Sequence, residues 1–332
     1  MQTAATALSY RMRAELFTQL ATMERAGLPA DVAYGLLKLK GGDQARLVDF
    51  KKGRARHLDP ASAGERSGLF TPIEAALLRA AQSSGMLAVV YLRLSERYTQ
   101  KALQVATIKS KSILPGVTLL LALFIQPLPK LASHALSLES YLLGNISVLV
   151  LIAGVIYGLI YLTRRLEQAA LPQRQGPPNI VFSSLPQLPI FGGRYVRGNA
   201  VRYIETLAIL LEAGVSMLDA LPIALRTIRN PLIRQSVAQM QPKISAGATF
   251  AQALGDTRYI RTHQLIEMAR IGEASGTLPA MLLRHVDVES NELHRFDQQV
   301  VAWVPRVFYV LVAIWIAYGI LKGMPHMTCV DC

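Results

Sequence analysis

Cysteine is nearly absent: Cys329 and Cys332, at the extreme C-terminus, are the whole complement, so no disulfide framework shapes the fold. Charge is also scarce, at 17% of residues against 52% hydrophobic, a balance tilted toward membrane proteins. Negative charge is the scarcer sign, with 22 Asp and Glu against 35 Lys and Arg, which leaves a net +13. Catalytic signatures are missing too. There is no G-x-x-x-x-G-K-[ST] loop and no H-E-x-x-H pair, and Gly272 to Gly276 reads G-x-x-S-G rather than a G-x-S-x-G elbow. The six histidines are scattered. No catalytic, metal or cofactor set is expected, and energy must come from elsewhere. Met1 to Leu16 has no continuous apolar core and carries Arg11, Arg13 and Glu15, which does not read as a signal peptide.

What is present is helical periodicity. Leu16, Leu20 and Met23 mark a helix from Tyr10 to Ala26, stopped by Gly27. Pro29 suits the first turn of the next helix, which runs to about Leu39, and a polar, basic stretch follows from Lys51 to Arg66. Thr71-Pro72-Ile73-Glu74 reads as a capping box for a helix reaching about Ser84, and another runs from Met86 to Lys111. Later in the chain Val201, Ile204, Leu207, Ala208 and Leu211 form a stripe ending at Ala213-Gly214. Ser216-Met217-Leu218-Asp219 and Asn230-Pro231 open further helices, the second ending near Gly247, and a long helix starts at Thr277.

Apolar runs divide this pattern. Residues 113–131, 141–163 and 300–321 approach the roughly 20 apolar residues needed to cross a bilayer. The second has no charge and has Tyr141 and Tyr161 at its edges; the third is interrupted by Arg306 alone. The expected fold class is therefore an all-α membrane protein. Residues 1–112 form a first helical module, 171–193 a Pro- and Gly-rich linker, 194–299 a second helical module, and 322–332 a tail.

The two modules echo each other. Leu20-Ala21 with Ala26-Gly27 matches Leu207-Ala208 with Ala213-Gly214, and Ser62-Ala63-Gly64 matches Ser245-Ala246-Gly247. Arg79 with Ser84-Gly85-Met86-Leu87 matches Arg270 with Ser275-Gly276-Thr277-Leu278. A helical module repeated with its following span is the inferred architecture. Residues 1–112 carry 17 Lys and Arg and 164–299 carry 15, whereas the stretch from the end of the first span to the start of the second has Lys130 alone and the tail Lys322 alone. Basic flanks stay cytoplasmic, so both modules are expected inside and the C-terminus outside. Orientation and anionic lipid account for the charge, and nucleic acid is not expected as a partner.

Gly272-Glu273-Ala274-Ser275-Gly276-Thr277-Leu278, the duplication and the three spans together resemble the inner-membrane platform family of type IV pilus and type II secretion machines. The compact form is more similar to the type IVb pilus branch. The resemblance implies six-helix cytoplasmic bundles in the bacterial inner membrane and a homo-oligomer at the base of a fibre. It further implies a platform that is not an enzyme and couples a cytoplasmic hexameric ATPase to extraction of pilin and minor pilins, beside other inner-membrane assembly proteins. The alternative within the family is a type II secretion platform. A transporter built from repeats is the reading outside it, but the spans are few and lack the polar, broken segments such proteins place at the midplane.

Candidate residues follow. Gly27, Gly85, Gly214, Gly272 and Gly276 read as backbone devices, with Gly272 and Gly276 together stopping one helix and allowing a tight reversal. Glu273 sits where a helix C-terminus repels a carboxylate, by about 1 kcal/mol at most, so its position needs a reason. It caps the backbone donors that open the following helix, or meets an arginine of a neighbouring helix, or touches a partner protein. Gln82 takes its place in the first copy. Arg270 and Ser275 complete the motif. Arg306 either snorkels to headgroups, pairs within an oligomer, or meets a pilin carboxylate. Cys329-Val330-Asp331-Cys332 is expected to be an intrachain disulfide or a free tail rather than a redox centre.

Overall fold

A computed structural model of the chain describes residues 8–39, 43–125, 191–228 and 230–323, with isolated positions from 139 to 158. Every described element is helical, and no strand occurs among the described residues. The first half holds α1 (Tyr10–Arg25), α2 (Ala30–Leu36), α3 (Gln44–Ala55), α4 (Pro60–Ser67), α5 (Pro72–Ser84) and α6 (Leu87–Ile125). The second half holds α7 (Phe191–Glu212), α8 (Met217–Leu225), α9 (Pro231–Ala238), α10 (Met240–Ser245), α11 (Phe250–Gly255), α12 (His263–Ser275) and α13 (Leu278–Gly323).

Local chemistry sets most of the boundaries. Thr71 and Glu74 form the expected reciprocal capping box, with Pro72 in the first turn of α5. Asn230 accepts from the amides of Leu232 and Ile233 at the start of α9. Ser216 accepts from the Asp219 amide, but Asp219 returns to the Ser216 hydroxyl at 2.6 Å, so this is half of a capping box. Two regions differ from the sequence reading. The basic stretch from Lys51 to Arg66 is helical over most of its length, because Leu47, Phe50, Ala61 and Ala63 supply a buried face to α3 and α4. The helix opened by Asn230 is broken at Gln239 into α9 and α10.

The chain forms two compact units, residues 1–104 with 167–293, and residues 105–166 with 294–332. In the first unit the first half packs around aromatic side chains. Phe17 stacks on Phe70 and Tyr98 with centroids 5.9 and 5.8 Å apart, and Phe50 meets Tyr34 edge-on at 5.2 Å. Such pairs contribute about 0.5–1.5 kcal/mol each beyond area burial. Beside them lies a buried charge pair: Arg13 donates to Glu74 at 3.2 Å and to the Tyr98 hydroxyl at 3.1 Å. The second half packs mainly through aliphatic residues, Ile204, Leu207, Leu210, Leu254 and Leu265 among them.

Both halves share this unit. Arg93 of α6 makes a two-pronged bond to Glu212 of α7, with Nε to Oε2 at 2.6 Å, and Arg97 reaches Glu205 at 2.8 Å. The bond to Glu212 raises the Arg93 pKa further, outweighing burial. Asp287 titrates above the usual range, first through burial and then through the proximity of Glu205.

In the second unit the side chain of Arg306 lies over the Trp303 ring, 5.3 Å from its centroid, and His294 and Gln298 are 2.8 Å apart. Among the described residues no helix is long and apolar enough to cross a membrane. Most of 126–190, including the expected second span and linker, lies outside the described residues, as does the tail with its two cysteines. The first and third expected spans fall on α6 and α13, where most side chains also lie outside them.

Candidate functional site

The 270–278 motif is a helix hairpin. At the end of α12 the Thr277 amide donates to the Gly272 carbonyl at 2.9 Å and the Gly276 amide to the Glu273 carbonyl at 3.4 Å. Gly276 takes the left-handed conformation at φ +69, which is the Schellman stop expected of it. Gly272 does something else. It lies inside α12, not at its end, and a Cβ there would stand 2.7 Å from the Leu278 Cα. Its role is to let α13 begin against α12, which corrects the reading of Gly272 as a helix stop. Ser275 donates to the Ile271 carbonyl at 2.8 Å and shares a hydrogen bond with the Thr277 hydroxyl at 2.6 Å.

Glu273 reaches back to α11. Its two oxygens accept from the amides of Phe250 at 2.6 Å and Ala251 at 3.0 Å, the first two orphan donors of that helix. Thr249 supplies the third bond, from Gln252, and the Gln252 side chain returns to the Thr249 amide. The carboxylate near the C-terminus of α12 thus sits against the N-terminus of α11, where negative charge is favoured. Of the three sequence alternatives, backbone capping is the one the geometry realises, though of α11 rather than of the following helix.

In the first half the hairpin recurs. Met86 donates to the Ala81 carbonyl at 2.9 Å and Gly85 to the Gln82 carbonyl at 3.4 Å, with Gly85 at φ +72. Ala81 occupies the place of Gly272 and is fully buried. Gln82 is exposed. Gly27 and Gly214 also match, both ending helices at positive φ. A Cβ on Gly214 would come 4.0 Å from that of Ser84, so the second-half stop lies beside the first-half reversal, whereas Gly27 has open space.

The Ser-Ala-Gly pair does not hold. Gly64 lies inside α4 against the Phe70 ring, which a Cβ would enter at 1.9 Å, while Gly247 lies in the turn before α11 at φ +97. The structural counterpart of Gly247 is His57, the one non-glycine at positive φ among the described residues. His57 donates to the Arg54 carbonyl as Gly247 does to Ile244. Identical tripeptides thus serve different turns. Arg270 pairs with Glu267 one turn away at 3.1 Å and is exposed; its counterpart Arg79 crosses to Glu65 at 2.8 Å. Arg306 lies in the other unit, apart from these residues in the chain's division.

The family model described as "Type II secretion system (T2SS), protein F" matches residues 203–324, which contain the second hairpin and Arg306. The chain is 27% identical over 318 residues to the Pseudomonas aeruginosa "Type II secretion system protein F", covering 88% of this chain and 76% of that protein. It is 26% identical over 318 residues to the Pseudomonas putida "Type 4 fimbrial assembly protein PilC", covering 88% and 77%. With the Myxococcus xanthus "Type IV pilus assembly protein PilC" the match is 26% over 137 residues, 41% of this chain and about a third (32%) of that protein's length. The chain is similar along most of its length to proteins of type IV pilus and type II secretion systems. Within it, the second half carries the family match, and the Gly272–Gly276 hairpin lies inside that match.

Sequence reasoning missed the Arg13–Glu74–Tyr98 cluster and the arginine bridges between halves. Their members lie 61 to 119 residues apart, and no local spacing signals them. His285 was also missed. It is buried, its Nδ1 has no partner among the described residues, and burial lowers its pKa against the pull of Glu289.

Proposed function

We propose that this chain is the inner-membrane platform of a type IV pilus machine, a non-enzymatic part that transmits work from a cytoplasmic hexameric ATPase to pilin extraction. The observation that carries a platform reading, for pilus or secretion alike, is the family match over residues 203–324, which encloses a hairpin of defined geometry and its cap at α11, and the names of the PilC relatives favour the pilus. In this reading the halves of the first unit are two copies of one helical module on the cytoplasmic side. Residues 113–131, 141–163 and 300–321 span the membrane, and the tail lies in the periplasm. Gly272, Glu273 and Gly276 keep the second module in shape, and Arg306 lies at the cytoplasmic end of its span, where its stem and Trp303 suit an interface. Orientation then follows the distribution of Lys and Arg.

A type II secretion platform is the second reading, favoured by the P. aeruginosa relative's name. Deletion of the gene, with complementation by the full chain, tests both. Loss of surface pili with secretion intact supports the first reading, and loss of exoprotein secretion with pili intact supports the second. Wild-type pili and wild-type secretion would overturn both. Co-purification of the tagged full chain with the candidate ATPase tests the coupling.

A further inference from the structure

A cleft of about 690 Å³ opens in the first unit between the two halves, lined by residues of α1, α5 and α6 on one side and α7, α8 and α9 on the other. Seven lining side chains are cationic and two are carboxylates. Both carboxylates are already engaged, Glu74 by Arg13 at 3.2 Å and Glu65 by Arg79 at 2.8 Å. Arg97 is paired with Glu205. Lys101 and Arg226 have no carboxylate partner among the described residues; Lys101 lies 5.9 Å from the centroid of the Tyr98 ring. The cationic field is under-compensated at its floor as well, where Arg13 and Arg97 each keep a buried Nε–H without an acceptor.

Lys101 registers this field. Burial first, then Arg97, Arg202 and Arg13, push its ammonium down to about 8 against the opposing pull of Glu205. A group held in that state is one that a bound anion would relieve. The walls are not uniformly polar, since Ile73, Leu94 and Ile223 also line the space. The volume lies within the range of roughly 300–1,000 Å³ usual for small-molecule sites and exceeds what an inorganic ion fills.

We propose that this cleft binds a phosphate-bearing ligand of nucleotide size, its phosphate oxygens accepting from Lys101 and Arg226 and its remaining body lying against Ile73 and Ile223. The ligand bridges both halves of the unit and so favours their packed arrangement. No bond is made or broken. The platform reading is not needed for this proposal. The phosphate can come from a soluble nucleotide or from an anionic lipid headgroup, and one experiment separates the sources.

The full chain, purified in a zwitterionic detergent, is titrated with ADP, with inorganic pyrophosphate, with phosphatidylglycerol nanodiscs and with a polyglutamate peptide. Binding and thermal unfolding are followed together. ADP binding with a rise in unfolding temperature, competed by pyrophosphate, supports the soluble source; binding to phosphatidylglycerol alone supports the lipid source. In either case Lys101→Gln and Arg226→Gln each weaken binding about tenfold, the loss of one charge-assisted hydrogen bond. Lys52→Gln, at an exposed lysine outside the cleft, leaves it unchanged. Affinity also falls as pH rises through about 8, because the ligand is held by the protonated Lys101. Binding of polyglutamate alone, no binding of any probe, or binding that Arg226→Gln leaves intact overturns the proposal. Arg226 is exposed, so loss of folding does not confound that variant.

Discussion

The two halves solve one problem, the orphan amides at the start of a short helix, in different ways. In the first half α4 opens with Pro60, which has no amide to satisfy, and Asp59 accepts from Ala61 at 2.8 Å and Ser62 at 3.1 Å. In the second half α11 opens with Phe250, whose amide needs an acceptor, and its own cap is neutral Thr249. The missing carboxylate comes from Glu273, 22 and 23 residues along the chain. Each helix start thus has one carboxylate, supplied locally in one half and from the hairpin in the other. Gln82 in the first copy is then no defect, because Asp59 already fills that role. The comparison teaches that a motif residue can be understood only with the helix it serves.

Breaking the hairpins gives the largest contrast. Gly272→Ala places a Cβ against the backbone of Leu278 and is expected to cost about 2–3 kcal/mol, although alanine is ordinarily the better helix former. Ala81→Gly in the first half is expected to cost only about 1 kcal/mol, mainly in helix propensity. Thermal unfolding of both variants checks the difference. Equal costs would mean that the two hairpins are equally close.

The carboxylate comes next. Glu273→Gln is expected to cost about 2 kcal/mol by weakening two charge-assisted bonds, whereas Gln82→Glu stays within about 0.5 kcal/mol. Denaturant unfolding reads both. Smaller still is the turn before the short helix. His57→Gly is expected to stabilise by about 0.5–1 kcal/mol, since His57 holds a positive φ of 59, and Gly247→His to destabilise by a similar amount. Proteolysis rates and unfolding midpoints should move in opposite directions for the pair. At the bottom of the scale, Arg270→Ala is expected to change stability by less than about 0.5 kcal/mol and Arg79→Ala by about 0.5–1, because the first pair is local and exposed and the second joins two helices. A loss of fibre assembly in Arg270→Ala at unchanged stability would sharpen the contrast, marking that arginine as a contact.

Elements with local signals were legible in the sequence. The Thr71–Glu74 capping box, Asn230-Pro231, and the stops at Gly27, Gly85, Gly214 and Gly276 all depend on residues within one turn of each other. Non-local features were not legible. Glu273 shows its acceptors only when α11 and α12 are packed, and Gly272 its purpose only when α13 is in place. His57 escaped because a left-handed turn is sought at glycine or asparagine. Ser62-Ala63-Gly64 misled because a glycine that admits a phenylalanine ring looks the same in sequence as one that turns the chain.

The most direct test of the carboxylate exchange is to give the second half the first half's solution, by adding Thr249→Asp to the Glu273→Gln variant and measuring unfolding free energy alongside surface fibre assembly. An aspartate at the cap serves Ala251 and Gln252 but leaves the Phe250 amide unserved, so about half of the lost stability should return, with assembly rising in step. Recovery of stability with assembly still abolished would contradict the account and make Glu273 a residue that touches a partner.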